Sequence, residues 1–209
     1  MLVLASTSPR RRELLQGLGI DFKIQVKDVP ENFPPGMKAS RVVELLSERK
    51  ARAVAVELNE GLVIGSDTIV TYNDEILGKP EDSGHAKEML KKLQGTYHYV
   101  YSGVAVINAF SGKVAVSHQC TRVKIKPLTD NEIDKYIASG EPKGKAGAYA
   151  IQGIASLFIE GIEGCYFNVV GLPIKRLADL LKEFDYDVLE SVVNQRSQKS
   201  GVSSQNEGF

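Results

Sequence analysis

Several charged residues in this chain stand where ordinary packing does not ask for them. Residues 5–13 read Ala-Ser-Thr-Ser-Pro-Arg-Arg-Arg-Glu, small hydroxyl residues followed by three arginines. Ser8 and Pro9 form a helix start, a capping hydroxyl with proline at the first helical position. Arg10, Arg11 and Arg12 then fall in the first turn, where the macrodipole already carries partial positive charge and cations are disfavoured. An anion resolves the conflict, because free backbone N–H groups, hydroxyls and guanidinium forks together bind phosphate. The alternative for any single arginine is a solvated or carboxylate-paired side chain. Neither GxxxxGK[ST] nor GxGxxG occurs, so this is not a Walker loop or a dinucleotide fingerprint.

Asp67 lies inside the otherwise apolar run 62–70. Burying an unpaired charge costs several kcal/mol, so it needs a partner. It reads either as a structural ion pair or turn cap, or as a metal ligand or general base on a rigid element. Glu31, on a proline-rich loop from 30 to 36, can supply a second carboxylate. Lys50, late in a long helical pattern, and Lys79, in a tight Leu-Gly-Lys-Pro loop, add cations, although a lone lysine is more often a surface group. Residues 144–153 are glycine-rich, so backbone there can approach a ligand closely. Gln152 in that loop offers both donors and an acceptor, which suits the edge of a base. The histidines show no paired ligand spacing, and none is assigned to a metal.

The elements that must hold these groups alternate short apolar runs with helical periodicity, the pattern of an α/β chain. Strands are expected at 2–5, 22–26, 62–64, 68–72 and 156–160, with Gly65-Ser66-Asp67 interrupting the middle pair, and a hairpin joins 97–108 to 114–125. Helices are expected at 9–18, 39–58, 85–93, 130–139 and 172–184. One domain spans 1–190, and the serine-rich segment 191–209 lacks the apolar residues to order itself and is expected to be a flexible polar tail.

Lys+Arg and Asp+Glu both number 26, so the formal charge is zero. Neutrality, with no basic stripe interleaved with aromatics, argues against nucleic acid as the partner. No run is long and apolar enough to span a membrane. The apolar N-terminus is too short for a signal peptide and reads as a strand. Cys120 and Cys165 are the only cysteines. Two cysteines this far apart give neither a disulfide framework nor a paired-cysteine metal knuckle, and a reducing cytoplasmic setting is expected.

Taken together, residues 4–15 closely resemble the opening motif of the Maf family of nucleoside triphosphate pyrophosphatases. Glu48-Arg49-Lys50-Ala51, Gly65-Ser66-Asp67-Thr68, Leu77-Gly78-Lys79-Pro80, Gly140-Glu141-Pro142 with residues 145–153, and Asn168-Val169-Val170-Gly171-Leu172-Pro173 agree with the family in order and spacing. The resemblance covers roughly residues 2–188. It implies an elongated mixed sheet flanked by helices, of the Maf and inosine-triphosphatase type, and a homodimer. It implies hydrolysis of a nucleoside triphosphate between the α- and β-phosphates with a divalent metal, Mg²⁺ or Mn²⁺. By the same resemblance Asp67 is catalytic and, with Glu31, a metal ligand. Ser8, Arg11, Lys50 and Lys79 are then substrate contacts. Arg10, Thr68 and Gln152 stand at three positions that resemble the dTTP/UTP branch. Pro30 and Gly144 depart from the family pattern, each standing where aspartate is common. The competing reading is a non-enzymatic phosphate- or nucleotide-binding regulator of growth or division, and enzymatic action on modified pyrimidine nucleotides is a variant of the first.

Overall fold

The computed structural model of the chain describes residues 1–203. Its frame is a mixed seven-stranded sheet. The strands are β1 (Leu2–Leu4), β2 (Lys23–Ile24), β3 (Leu62–Tyr72), β4 (Glu75–Leu77), β5 (Tyr97–Asn108), β6 (Val114–Ile125) and β7 (Ile159–Glu163). Their order is β2-β1-β3-β5-β6-β7, with β4 beside β3. β1 runs parallel to β2 and β3, and the other pairs are antiparallel. The helices are α1 (Pro9–Leu18), α2 (Ala39–Ala55), α3 (Ser83–Leu93), α4 (Asp130–Ala138), α5 (Tyr166–Val170), α6 (Ile174–Lys182) and α7 (Val188–Ser203). The α/β class and the helix-flanked mixed sheet read from the sequence are both present.

Alternation along the strands divides the core by face. Val63, Ala105 and Ile107 meet Ala51 and Val54 of α2 on one face. On the other face Leu4, Ile64 and Val104 pack under α1 and α6. Val70, Val100 and Val123 pack under α3 and α4 further along the same face.

Two glycines set how closely α2 lies on the sheet. A Cβ on Gly65 would stand 2.1 Å from the Ser47 carbonyl oxygen, and one on Gly103 would stand 2.1 Å from that of Val43. Val43, Ser47 and Ala51 follow at four-residue spacing, so one line of α2 touches the sheet backbone directly. This corrects the expected break at residues 65–67. β3 is continuous from 62 to 72, and Gly65 is there for a helix to approach, not for a turn.

The edge of β3 is nevertheless open at one place. β1 pairs with it only through Leu62–Ile64, and β4 rejoins it only at Val70. Between them the chain leaves β1 through Ala5–Ser8 into α1. The open stretch of β3 contains Asp67 and Thr68, pointing to opposite faces. A crevice at the carboxyl end of a parallel strand is where ligands bind in open α/β sheets.

Other expectations shift. The strand expected at 22–26 narrows to Lys23–Ile24 at the sheet edge. The strand expected at 156–160 becomes Ile159–Glu163, preceded by a 3₁₀ turn over Ile154–Phe158. The cause is the Glu141 carboxylate, which accepts the Ile154 and Ala155 N–H groups at 2.7 and 3.1 Å and caps that turn. The expected polar tail is helical in α7 as far as Ser203. Asp187 accepts the N–H groups of Leu189 and Glu190, and Val188 and Val192 pack on the cluster under α1 and α6. Residues 204–209 of that segment lie outside the described residues.

His98 of β5 is buried, with Nε2 2.7 Å from the Tyr149 hydroxyl. Burial pushes its pKa down from 6.5 to about 4. Between those values the unfolded chain takes a proton that the folded chain refuses, so stability is full above about 6.5 and falls as the pH drops towards 4. The expected loss is about 3 kcal/mol from this group. Urea unfolding at pH 7 and pH 4 checks it: His98→Gln should lose less stability over that interval than the wild type, and an equal loss in both would reject the assignment.

Candidate active site

The open edge of β3 forms the floor of a cavity of about 570 Å³. Its walls come from the Ala5–Arg11 turn, the loop after β2, the end of α2, the β4–α3 loop, residues 144–152 and the α5–α6 junction. Ser8, Arg10, Arg11, Glu31, Lys50, Asp67, Thr68, Lys79 and Gln152 all line it. The structure thus gathers every sequence-selected site residue at one place. Arg12 is the exception among the arginines, being exposed and outside the lining.

Ser8 caps α1, its hydroxyl accepting the Arg11 N–H at 3.5 Å. Asp67 is 8% exposed, and its Oδ1 lies 2.5 Å from Lys50 Nζ. The same ammonium reaches Glu31 Oε1 at 2.6 Å. The close approach of α2 over Gly65 is what brings Lys50 within reach of Asp67. That hydrogen bond from Lys50 is the main cause holding the Glu31 carboxyl below its usual range. Arg49 steadies the loop by donating to the carbonyls of Pro30 and Asn32, on either side of Glu31.

Arg11 is half-buried, and burial lowers its pKa while Asp67 works in the opposite direction. Its guanidinium is fixed on three sides. Nε donates to the Gly171 carbonyl at 2.8 Å, Nη1 to Ser6 Oγ at 3.2 Å and Nη2 to Thr68 Oγ1 at 3.1 Å. Two of its five N–H bonds are not used by these contacts. Gly171 adopts φ 124°, which turns its carbonyl towards the arginine. Arg10 is half-buried, its pKa lowered by burial and raised by Glu13 and Glu141. Lys145 shares that end of the cavity, and its pKa is lowered first by burial and then by Arg10. Lys79 and Gln152 are exposed at the mouth. Their loops are tied by a hydrogen bond from Gly147 N–H to the Gly78 carbonyl at 3.0 Å.

Arg10, Arg11, Lys27, Lys50, Lys79 and Lys145 oppose only Asp28, Glu31 and Asp67 along the walls, so the cavity favours a multiply charged anion. Among the described residues no group of three or more His, Cys, Asp or Glu could hold a metal by itself. Glu31 and Asp67 each keep one carboxylate oxygen not bonded to Lys50. Two carboxylates completed by phosphate oxygens form a donor set suited to Mg²⁺ or Mn²⁺, so these residues fit a cation that arrives with a polyphosphate.

Sequence reasoning passed over several supports of this site. Lys27 and Asp28 line it, and the Gly171 carbonyl, Arg49, Ser102 and Asn168 act behind it. Ser102 carried one legible signal, a hydroxyl in the middle of the apolar run 100–107. The contacts of Arg49 and Gly171 span too much chain for any local pattern to show.

A rigid strand carboxylate facing a converging set of cations defines a pocket for a polyphosphorylated small molecule on an α/β frame. The chain belongs to the Maf family: the family model described as Maf-like protein matches residues 1–184. The dTTP/UTP pyrophosphatase of Pelotomaculum thermopropionicum is 56% identical over 188 residues, covering 90% of this chain and 98% of that protein. Those of Desulforamulus reducens and Salinibacter ruber are 52% and 46% identical, covering 90% and 91% of this chain and 98% and 94% of theirs. No helix among the described residues is long and apolar enough to cross a membrane.

Proposed function

We propose that this chain hydrolyses dTTP and UTP to the nucleoside monophosphate and pyrophosphate. The observation that carries the reading is the meeting of Arg11 and Lys50 with Asp67 on the open edge of β3, with Lys79 at the mouth of the same cavity. The names of the relatives supply the pyrimidine substrates.

Transfer at phosphorus asks mainly for positioning and charge compensation. Arg11, Lys50 and Lys79 bind the β- and γ-phosphates, so the pyrophosphate leaves with its charge already matched. Asp67 orients a water and takes its proton as the oxygen attacks the α-phosphorus. The bond from that phosphorus to the oxygen bridging to the β-phosphate then breaks. Ser8, capping α1, places the phosphates against the helix N-terminus. A divalent cation, Mg²⁺ or Mn²⁺, held by Glu31 and Asp67, supplies further charge neutralisation when bound.

Gln152 faces the base, with Arg10 and Thr68 lining the same cavity. Gln152→Glu removes the amide donors and should lower kcat/KM for dTTP and UTP by roughly 10- to 10³-fold, because buried polar groups of the base go unpaired. The melting temperature should hardly move, since the side chain is exposed. Equal activity on all bases before and after the change would sink the assignment.

Pyrophosphate release from canonical and modified nucleoside triphosphates, with Mg²⁺, with Mn²⁺ and with chelator, tests the whole reading. Metal-dependent release selective for dTTP and UTP is the expected result. Release only from another nucleotide keeps the enzyme class and rejects the pyrimidine assignment. No release by folded protein would return the weight to a phosphate-binding regulator. The same reading places the enzyme in the cytoplasm, with its nucleotide substrates, as a homodimer. Tyr97 and Tyr99, exposed on one face of β5, offer surface for that assembly.

A further inference from the structure

Behind the cavity wall a line of hydrogen bonds runs from Arg11 into the core. Arg11 Nη2 lies 3.1 Å from Thr68 Oγ1, Thr68 Oγ1 lies 2.8 Å from Ser102 Oγ, and Ser102 Oγ lies 2.8 Å from the Asn168 carbonyl oxygen. Ser102 and Asn168 are fully buried. The ends of the line fix its direction. A guanidinium can only donate, and a backbone carbonyl can only accept. Ser102 has one hydrogen, and it goes to the Asn168 carbonyl. Its oxygen therefore accepts the Thr68 hydrogen, and Thr68 accepts from Arg11. The other acceptor within reach of Thr68, the Gly171 carbonyl, is more distant at 3.4 Å and already takes the Arg11 Nε–H.

Register explains why these groups meet. Thr68 of β3 is directly opposite Ser102 of β5, so their side chains share a face. The Asn168 side chain is itself pinned, its amide donating to the Val100 carbonyl and to Thr121 Oγ1, both at 2.9 Å. The line thus ends on a rigid anchor.

We propose that Ser102 is a positioning residue for the phosphate-binding arginine: through Thr68 it holds the Arg11 guanidinium in the orientation that meets the polyphosphate. Thr68 spends its hydrogen on Ser102 and accepts the Arg11 N–H, so its hydroxyl serves the arginine and does not donate to the base. The proposal deepens the functional reading above and rests on it for the nature of the ligand. A misplacement of about 1 Å in such a group can cost on the order of 100-fold in rate.

The test separates phosphate binding from base selection by using inorganic tripolyphosphate, which has no base. Its affinity is measured by calorimetry for wild type, Ser102→Ala, Ser102→Thr and Thr68→Val, beside kcat and KM for UTP, dTTP and CTP. Ser102→Ala should weaken tripolyphosphate binding by roughly 10- to 100-fold and lower kcat/KM for all three nucleotides by a common factor. Ser102→Thr keeps the hydroxyl and should restore both. Thr68→Val should match Ser102→Ala, and the double variant should lose little more than either, as members of one line do. Should Ser102→Ala not fold, the Thr68→Val and Ser102→Thr comparison carries the test. Unchanged tripolyphosphate affinity overturns the proposal, and so does a change of base selectivity with that affinity intact. If the wild type turned over no nucleotide, the functional reading would fail while the tripolyphosphate arm still judged the line.

Discussion

Replacing Asp67 by Asn should lower turnover of dTTP and UTP by roughly 10²- to 10⁴-fold while leaving a folded protein, the loss expected when a positioned general base is removed. The asparagine fills the same space in β3 and keeps an oxygen for Lys50, but it cannot take a proton from water. Lys50 keeps Glu31 as a partner at 2.6 Å, so its charge is not left unpaired. That second carboxylate is why the stability change should be small against the loss in rate. Initial rates of pyrophosphate release beside thermal melts read the two effects separately. Near-normal turnover by folded Asp67→Asn protein would falsify the role given to Asp67.

Adding one methyl group at Gly65 or Gly103 should do the greatest damage to the fold. Each new Cβ meets a helix carbonyl at 2.1 Å, and backbone cannot step aside as a flexible side chain can. Overpacking of this kind costs about 3 kcal/mol or more, which for a chain of this size lowers the melting temperature by roughly 6–12 °C. Activity should fall as well, because lifting α2 off the sheet draws Lys50 away from Asp67. Gly17→Ala is the internal contrast. Gly17 lies in α1 with open space around it, and alanine there should stabilise by about 0.5–1 kcal/mol. Scanning calorimetry of the three variants decides the matter. A melting temperature for Gly65→Ala and Gly103→Ala within a degree or so of wild type would show that α2 does not rest on those glycines.

The same two glycines show where sequence reading stops. Gly65-Ser66-Asp67 has the composition of a turn, and local rules read it as one. Its cause is a helix packed from residues 43–51, which no short window contains. The start of α1 was legible because its cause is local: Ser8 caps the helix within three residues of itself, and Pro9 sets the first turn. The hairpin of β5 and β6 was legible for the same reason, since alternation and the turn between the strands lie in one stretch of chain. The polar segment after residue 190 continues a helix that Asp187 caps locally. What composition does not show is Val192 packing on the cluster under α1 and α6, which exists only once those elements are assembled.

For the site, the sequence alone determined the chemical inventory. Cations at the wrong end of a helix, a carboxylate in an apolar run and a glutamine in a glycine-rich loop are conflicts with local rules, and each can be seen where it stands. The tertiary structure alone decided their arrangement: that β1 stops short and opens the edge of β3, that α2 lies close enough for Lys50 to bridge Glu31 and Asp67, and that Arg11 is held by Gly171, Ser6 and Thr68. The physical reason is range. Propensity, capping and periodicity act over a few residues and are written into neighbours along the chain, whereas an ion pair or a hydrogen-bonded line depends on distances between segments that only packing brings together.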